Sequence, residues 1–206
     1  SGLFLGVGEV ANMIGVALAV PITKKVGKKP TFIMVDALLI VFSVVFFMLS
    51  PSTNAGLLLM LLLQIVISVL TGVMSPLVWS MYADVSDYSE LKTKSASTGL
   101  IFSSASMAQK FGGAIGGASV MWLLSACGYV ERSDANASLS IQQPESAITC
   151  LWMLMTFIPA GVALLSMLIV WLYPLGTKEM NEIVDRLREQ RKNPVVITKD
   201  EFVEPV

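Results

Sequence analysis

The 206-residue sequence contains no histidine, only two cysteines and a low share of charged residues, at 14%. Soluble domains average about 25% charged residues. Histidine is the commonest general base and metal ligand near neutral pH. Its absence excludes Ser-His-Asp triads and Cys-His pairs, and with so few cysteines we expect no metal site and no cofactor. No P-loop or glycine-rich nucleotide fingerprint is present, so the sequence does not indicate an enzyme.

Hydrophobic residues make up 54% of the chain, and its mean hydropathy is +0.72. A helix needs about 20 apolar residues to span a bilayer. Helices satisfy all their backbone hydrogen bonds internally in lipid. The sequence therefore predicts an all-α integral membrane protein. Its five spans are placed at residues 2–23, 31–50, 56–81, 99–127 and 147–173.

Residues 1–176 are predicted to form this transmembrane bundle, and residues 177–206 a cytoplasmic segment. Four apolar residues of that segment have the spacing of an amphipathic helix, which would dock on the bundle or lie on the lipid; they are Met180, Ile183, Val184 and Leu187. The stretch "NPVVITKDEFVEPV" then reads as a flexible tail.

The basic residues of the loops predict the orientation. Twelve lysines and arginines fall on one side of the five spans, and only Arg132 falls on the other. Lys- and Arg-rich loops stay in the cytoplasm, so we expect the amino terminus outside and the carboxyl terminus inside. A chain that starts outside with Ser1 predicts that an amino-terminal piece is missing. The net charge of −1 gives no indication of nucleic-acid binding.

Polar residues recur at helical spacing in three of the spans. Span three carries Gln64, Ser68, Thr71, Ser75 and Trp79; span four carries Ser103, Ser106, Lys110, Gly113 and Gly117; span one carries Glu9 and Asn12. Polar residues in membrane helices face protein or a water-filled path. We therefore expect spans one, three and four to be central, and spans two and five peripheral. The stripes indicate either a cavity or plain helix–helix hydrogen bonding.

Lys110 lies about eleven residues into its span, or ~16 Å at 1.5 Å per residue, near the middle of a ~30 Å core. A charge there costs about 2.5 to 3.5 kcal/mol, so it needs a counter-ion, water or a ligand. It either lines a cavity or forms a buried ion pair. Asp36, nearer the cytoplasmic side, is expected to form an interfacial salt bridge with the lysines of residues 24–29.

Two further pairs of small residues suggest contacts between helices. Gly112 with Gly116, and Gly113 with Gly117, would allow close approach of another helix to span four. The two cysteines, Cys127 and Cys150, flank one predicted outer loop. They either form a disulfide or pack as two apolar thiols.

The segment "YADVSDYSELKTK", residues 82–94, follows span three directly. Asp84, Asp87 and Glu90 recur every three residues and can continue one helical face. Without a nearby histidine or cysteine, a metal site or catalytic cluster is not indicated. We interpret the segment as a cytoplasmic gate or latch, whose acids pair with lysines or arginines of the other half of the protein in one conformation.

The stretches "ADVSDYSELKTK", "TGLIFSSASMAQKFGGAIGG" and "GYV" resemble the carboxyl-terminal half of glycoside–pentoside–hexuronide:cation symporters. These are melibiose-permease-like members of the major facilitator superfamily. The family's pattern after its tenth helix falls on Asp84, Asp87, Tyr88 and Glu90. Its eleventh-helix lysine, implicated in the sugar and cation sites, matches Lys110. A loop arginine of the family has no match here, where Ala96 stands.

The resemblance implies that the five spans are helices eight to twelve of a twelve-helix transporter in the bacterial inner membrane. It implies symport of a sugar or glycoside with Na⁺ or H⁺ by alternating access. The cation site is expected mainly in the missing amino-terminal half, which would be a partner of this chain together with the lipid. The alternative is a structural or assembly membrane protein with Lys110 in an ion pair.

If the chain is part of a symporter, its candidate substrate-binding residues are those that could contact a sugar ring or hydrogen-bond its hydroxyls. Trp79 would offer an apolar face to a sugar ring, and Lys110 would donate hydrogen bonds to a hydroxyl or carboxylate. Gln64, Ser75 and Asn12 are secondary candidates. The candidate latch residues are Asp84, Asp87, Tyr88 and Glu90.

Overall fold

The structure is a computed structural model that describes residues 2–49, 54–94, 97–130 and 143–192. In these residues the secondary structure is helical, without strands, as the sequence predicts. The helices are α1 (Gly2–Val26), α2 (Lys28–Met48), α3 (Asn54–Thr93), α4 (Thr98–Ala126), α5 (Glu145–Trp171) and α6 (Thr177–Lys192). Each predicted span therefore corresponds to one helix. Arg132, Ala96 and the predicted tail lie outside the described residues.

Four of the described helices, α1, α2, α3 and α5, are long and apolar enough to cross a membrane. Helix α4 has 29 residues, and at 1.5 Å per residue it is about 43 Å long, enough to cross as well. Its first half carries three serines, Gln109 and Lys110, which make it less apolar than the others. The prediction that α4 is a fifth span remains a prediction.

Helix α3 lies at the centre of the described helices and packs against α1, α2, α4 and α6. Buried residues from three helices meet at Ala19, Val35 and Val73, and a second cluster joins Phe32 of α2 to Leu77 of α3. Helix α2 also packs along α5. The remaining apolar side chains point outward, as lipid-facing residues do.

Helix α4 packs less closely against α3 than α1 and α2 do. It contacts α3 and α5, and none of its side chains is buried. An added Cβ on Gly112 or Gly116 would meet no described atom within 4 Å. Within this chain, the face of α4 that was expected to be enclosed is therefore open.

The segment after the third predicted span continues α3 as a helix, from Met81 to Thr93. Helix α6 docks on this extension, where Ile183 and Leu187 are buried against Val85 and Leu91. Helix α6 is thus amphipathic, and its apolar face covers α3.

Candidate functional site

The first half of the polar stripe on α3 faces α1. Asn12 Nδ2 donates to Thr71 Oγ1 at 3.4 Å, and Gln64 Nε2 donates to Ser68 Oγ at 3.4 Å within α3. Ser68 is buried opposite Gly8 of α1. This half of the stripe therefore makes one hydrogen bond to α1 and one within α3, which fits plain helix–helix packing.

The closest approach between α1 and α3 occurs at two glycines that the sequence interpretation missed. A Cβ added to Gly15 would overlap the Val69 carbonyl, and a Cβ added to Gly72 would overlap the Asn12 carbonyl. Small residues allow membrane helices to pack backbone to backbone. Ala11, Gly15 and Ala19 are spaced four residues apart, as are Ser68 and Gly72. This small-residue spacing was the signal that could have found the contact.

The second half of the stripe lines a cleft of about 450 Å³ between α3 and α4. Its polar groups come from Ser75, Tyr82 and Gln109, and its apolar walls from Met74, Val78, Trp79 and Ala108. Ligand sites combine a mostly apolar lining with a few polar groups that fix orientation. The cleft has that composition, and its volume falls in the range of about 300–1,000 Å³ of small-molecule pockets.

Trp79 organises the cleft through two aromatic contacts. Its ring meets Tyr82 edge to face, with centroids 5.7 Å apart, and stacks on Phe102 of α4 at 6.0 Å and 13°. Such pairs are worth about 0.5–1.5 kcal/mol beyond the area they bury. The stack covers part of one ring face, and it fixes the ring between α3 and α4.

The predicted binding residues separate into two groups. Ser75 and Trp79 line the cleft, whereas Asn12 and Gln64 lie at the α1–α3 interface. Lys110 is exposed on α4 and does not line the cleft; it follows Gln109 directly, about 100° further around the helix. In the described part of the chain the ion pairs are Lys28–Asp84 and Arg188–Asp185, and neither involves Lys110.

Lys28 and Asp84 form an ion pair where α2 begins beside the α3 extension. The Lys28 Nζ lies 2.6 Å from Asp84 Oδ1 and also donates to the Ser80 carbonyl at 3.3 Å. Asp84 is only 8% exposed. Lys29 Nζ donates to the Trp171 carbonyl at 3.0 Å and so caps the end of α5. The two lysines of the α1–α2 junction therefore tie three helices together.

Removing one partner of the Lys28–Asp84 pair should destabilise the protein more than removing both. Asp84→Asn leaves a partly buried ammonium without its carboxylate, and we expect a loss of about 2 kcal/mol, between the values for exposed and buried pairs. The double variant Lys28→Met with Asp84→Leu should lose less. Thermal unfolding of the purified proteins measures this, and equal losses for both variants would contradict the pairing.

The other latch residues lie further along the α3 extension. Tyr88 is 39% exposed, with Lys92 Nζ 5.8 Å from its ring centroid, and Asp87 is partly exposed. Ser86 Oγ and Thr98 Oγ1 are 2.7 Å apart, so the extension is joined to the start of α4. Asp87, Tyr88 and Glu90 thus lie on the last turns of α3, just before the connection to α4.

A buried tyrosine lies near Asp84. The Tyr173 hydroxyl is buried and has no hydrogen-bond partner among the described residues.

The prediction that Asp36 forms a salt bridge with the lysines of residues 24–29 is wrong. Asp36 is 2% exposed and accepts a hydrogen bond of 2.5 Å from Ser166 Oγ of α5. It lies eight residues after Lys28, or about 12 Å along α2, and Lys28 turns to α3 instead. The carboxyl group therefore fastens α2 to α5 inside the bundle.

Ser166→Ala should leave the Asp36 carboxyl group buried and unsatisfied, which costs about 1–3 kcal/mol. Asp36→Leu combined with Ser166→Ala removes both polar groups and should be closer to the wild type. Resistance of the purified protein to denaturant measures the difference. A single and a double variant of equal stability would show that the hydrogen bond contributes nothing.

No group of three or more His, Cys, Asp or Glu side chains in the described ranges lies close enough together to hold a metal ion. The chemistry of the cleft is that of hydrogen bonding and aromatic contact, for which no cofactor is required.

Comparison with known proteins gives matches along nearly the whole chain. The sequence model of the family described as "MFS/sugar transport protein" matches residues 2–177. The chain is 30% identical to the glucuronide carrier protein homolog of Escherichia coli (strain K12), over 93% of this chain and 40% of that protein. No solved structure matches significantly.

Two further relatives come from the same organism. The identity is 31% to the inner membrane symporter YicJ, over 92% of this chain and 39% of that protein. It is 27% to the putative glycoside/cation symporter YagG, over 91% of this chain and 39% of that protein. The chain thus spans about two fifths of the length of these relatives. They are named as a carrier and symporters, in agreement with the prediction that the chain is not an enzyme.

Proposed function

Because this chain belongs to the MFS/sugar transport protein family, we propose that it is the carboxyl-terminal part of a symporter. The transporter carries a sugar or glycoside together with Na⁺ or H⁺ across the bacterial inner membrane by alternating access. The relatives named as an inner membrane symporter and a glycoside/cation symporter support the location and the substrate class. In this proposal the five long helices are helices eight to twelve, with the amino terminus outside and the carboxyl terminus in the cytoplasm.

The observation that carries the proposal is the cleft between α3 and α4. An aromatic wall beside hydroxyl and amide groups suits a sugar, whose ring offers C–H bonds to an aromatic face and hydroxyls to polar groups. Trp79 and Tyr82 supply the aromatic wall; Ser75 and Gln109 supply hydrogen bonds. In this proposal Lys110, the residue after Gln109 on α4, supplies the cationic donor for a hydroxyl or carboxylate.

Transporters of this kind bind substrate near the midplane and rock two halves around it. One half alone provides one wall, so the complete transporter is required for uptake. The coupling cation is proposed to bind mainly in the other half.

The cytoplasmic latch is the second part of the proposal. Asp84, held by Lys28, fixes the base of the α3 extension. Asp87, Tyr88 and Glu90 lie beyond it, on the last turns of α3 before the connection to α4. A latch at that place controls the angle between α3 and α4, and hence the width of the cleft.

Trp79→Ala in the complete transporter should weaken sugar binding about tenfold, because a stacked aromatic contact is worth about 1 kcal/mol or slightly more. Trp79→Phe should restore part of that loss. Uptake of a labelled glycoside, measured over a range of concentrations, gives the half-saturation constant.

The matched control is Trp171→Ala. Trp171 is 70% exposed at the end of α5, away from the cleft, and only its backbone carbonyl binds Lys29. An unchanged half-saturation constant for Trp79→Ala would overturn the assignment of the cleft, while a large effect of Trp171→Ala would show that loss of any tryptophan disturbs the protein.

A further inference from the structure

The end of α4 and the start of α5 are joined by a set of specific hydrogen bonds. Ser146 Oγ donates to the Cys127 carbonyl at 2.8 Å, and Cys150 Sγ donates to the Leu123 carbonyl at 3.7 Å. Beyond them, the side-chain amide of Gln143 pairs with both backbone groups of Val130, at 3.0 and 2.8 Å. The two helix ends are therefore held in one register.

This register brings the two cysteines of the chain together. Leu123 and Cys127 are one turn apart on α4, and Ser146 and Cys150 are one turn apart on α5, so the two turns face each other. Cys150 Sγ contacts the Leu123 carbonyl, one turn before Cys127, and Ser146, one turn before Cys150, contacts the Cys127 carbonyl. Both cysteines are free thiols in the structure, Cys150 buried and Cys127 partly exposed. Disulfides require side chains that approach in this way.

We propose that Cys127 and Cys150 form a disulfide in the mature protein. The inference rests on the proposed topology, which places this end of α4 and α5 on the outer, periplasmic side, where disulfides persist. A dithiol–disulfide exchange protein of that compartment is the oxidant. Both S–H bonds break, one S–S bond forms, and two electrons and two protons pass to the oxidant, whose own disulfide becomes a dithiol.

The bond would act on the helix that carries the proposed substrate lysine. No side chain of α4 is buried within the described chain, and its polar links to α5 lie at this end. A covalent bond here makes the outer end of α4 a fixed point. Motion of α4 during transport is then confined to its other end, which follows the latch residues of α3.

The experiment uses the complete transporter in membranes from cells grown with an intact periplasmic oxidation pathway. Free thiols are blocked with N-ethylmaleimide in denaturant, and the protein is digested and analysed by mass spectrometry with and without prior reduction. We expect one linked peptide pair that contains Cys127 and Cys150, lighter than the two reduced peptides by two hydrogens and lost on reduction. In Cys127→Ser, the peptide with Cys150 should be alkylated without reduction.

Full alkylation of both cysteines before reduction would overturn the disulfide. Sugar uptake measured on the same membranes separates this outcome from failure of the proposed function, because a transporter with two free thiols and normal uptake disproves the disulfide alone. A linked pair in a protein that transports no sugar would leave the disulfide established and disprove the symporter.

Discussion

Lys110→Ala in the complete transporter should reduce coupled accumulation of sugar by about 10- to 150-fold. A hydrogen bond from a charged group is worth about 1.5–3 kcal/mol, which is that range in binding. The lysine lies twelve residues into α4, counted from Thr98. Burying this charge at the middle of a bilayer costs about 2.5 to 3.5 kcal/mol. We propose that interactions with the substrate or with the coupled cation offset this cost.

Lys178→Ala is the matched control, since it removes one exposed lysine of α6, outside the predicted spans. It should leave uptake at the wild-type level. The competing interpretation, a lysine that only stabilises the bundle by an ion pair, makes a different prediction. In that case Lys110→Ala lowers the amount of protein in the membrane but leaves the uptake per molecule unchanged.

Gly72→Val should destabilise the bundle by about 3 kcal/mol or more, near the top of the range for overpacked sites. Any side chain at residue 72 meets the backbone carbonyl of Asn12, and a backbone cannot rotate aside as a side chain can. The α1–α3 interface must then separate, which also breaks the hydrogen bond from Asn12 to Thr71. The midpoint of thermal unfolding in detergent measures the loss.

Gly6→Val provides the control, because an added Cβ at residue 6 meets no described atom within 4 Å on the same helix α1. It should unfold at nearly the wild-type temperature. Equal behaviour of the two variants would mean that α1 and α3 do not pack closely at Gly72.

The sequence predicts the helices well because hydrophobic length and helical period are local properties. The docking face of α6 follows from its spacing, and Ile183 and Leu187 are indeed buried. The charged segment after Met81 is helical to Thr93, in agreement with the three-residue spacing of its acids.

Partners between helices could not be predicted in the same way, since they depend on how helices rotate against one another. Asp36 was expected to meet lysines and instead accepts a hydrogen bond from Ser166, 130 residues away in sequence. Lys28 pairs with Asp84, a partner that the charge pattern did not single out. Gln109 lines the cleft although the α4 stripe pointed to Lys110 beside it.

The most direct measurement of the central claim is the accumulation of labelled glycosides by cells that express the complete transporter, with and without Na⁺ and with the proton gradient collapsed. The proposal predicts that at least one glycoside accumulates above its external concentration. It also predicts that removal of one of the two cation gradients abolishes this accumulation. Cation-coupled symport would be contradicted if the internal glycoside concentration only reached the external one and neither cation gradient changed it.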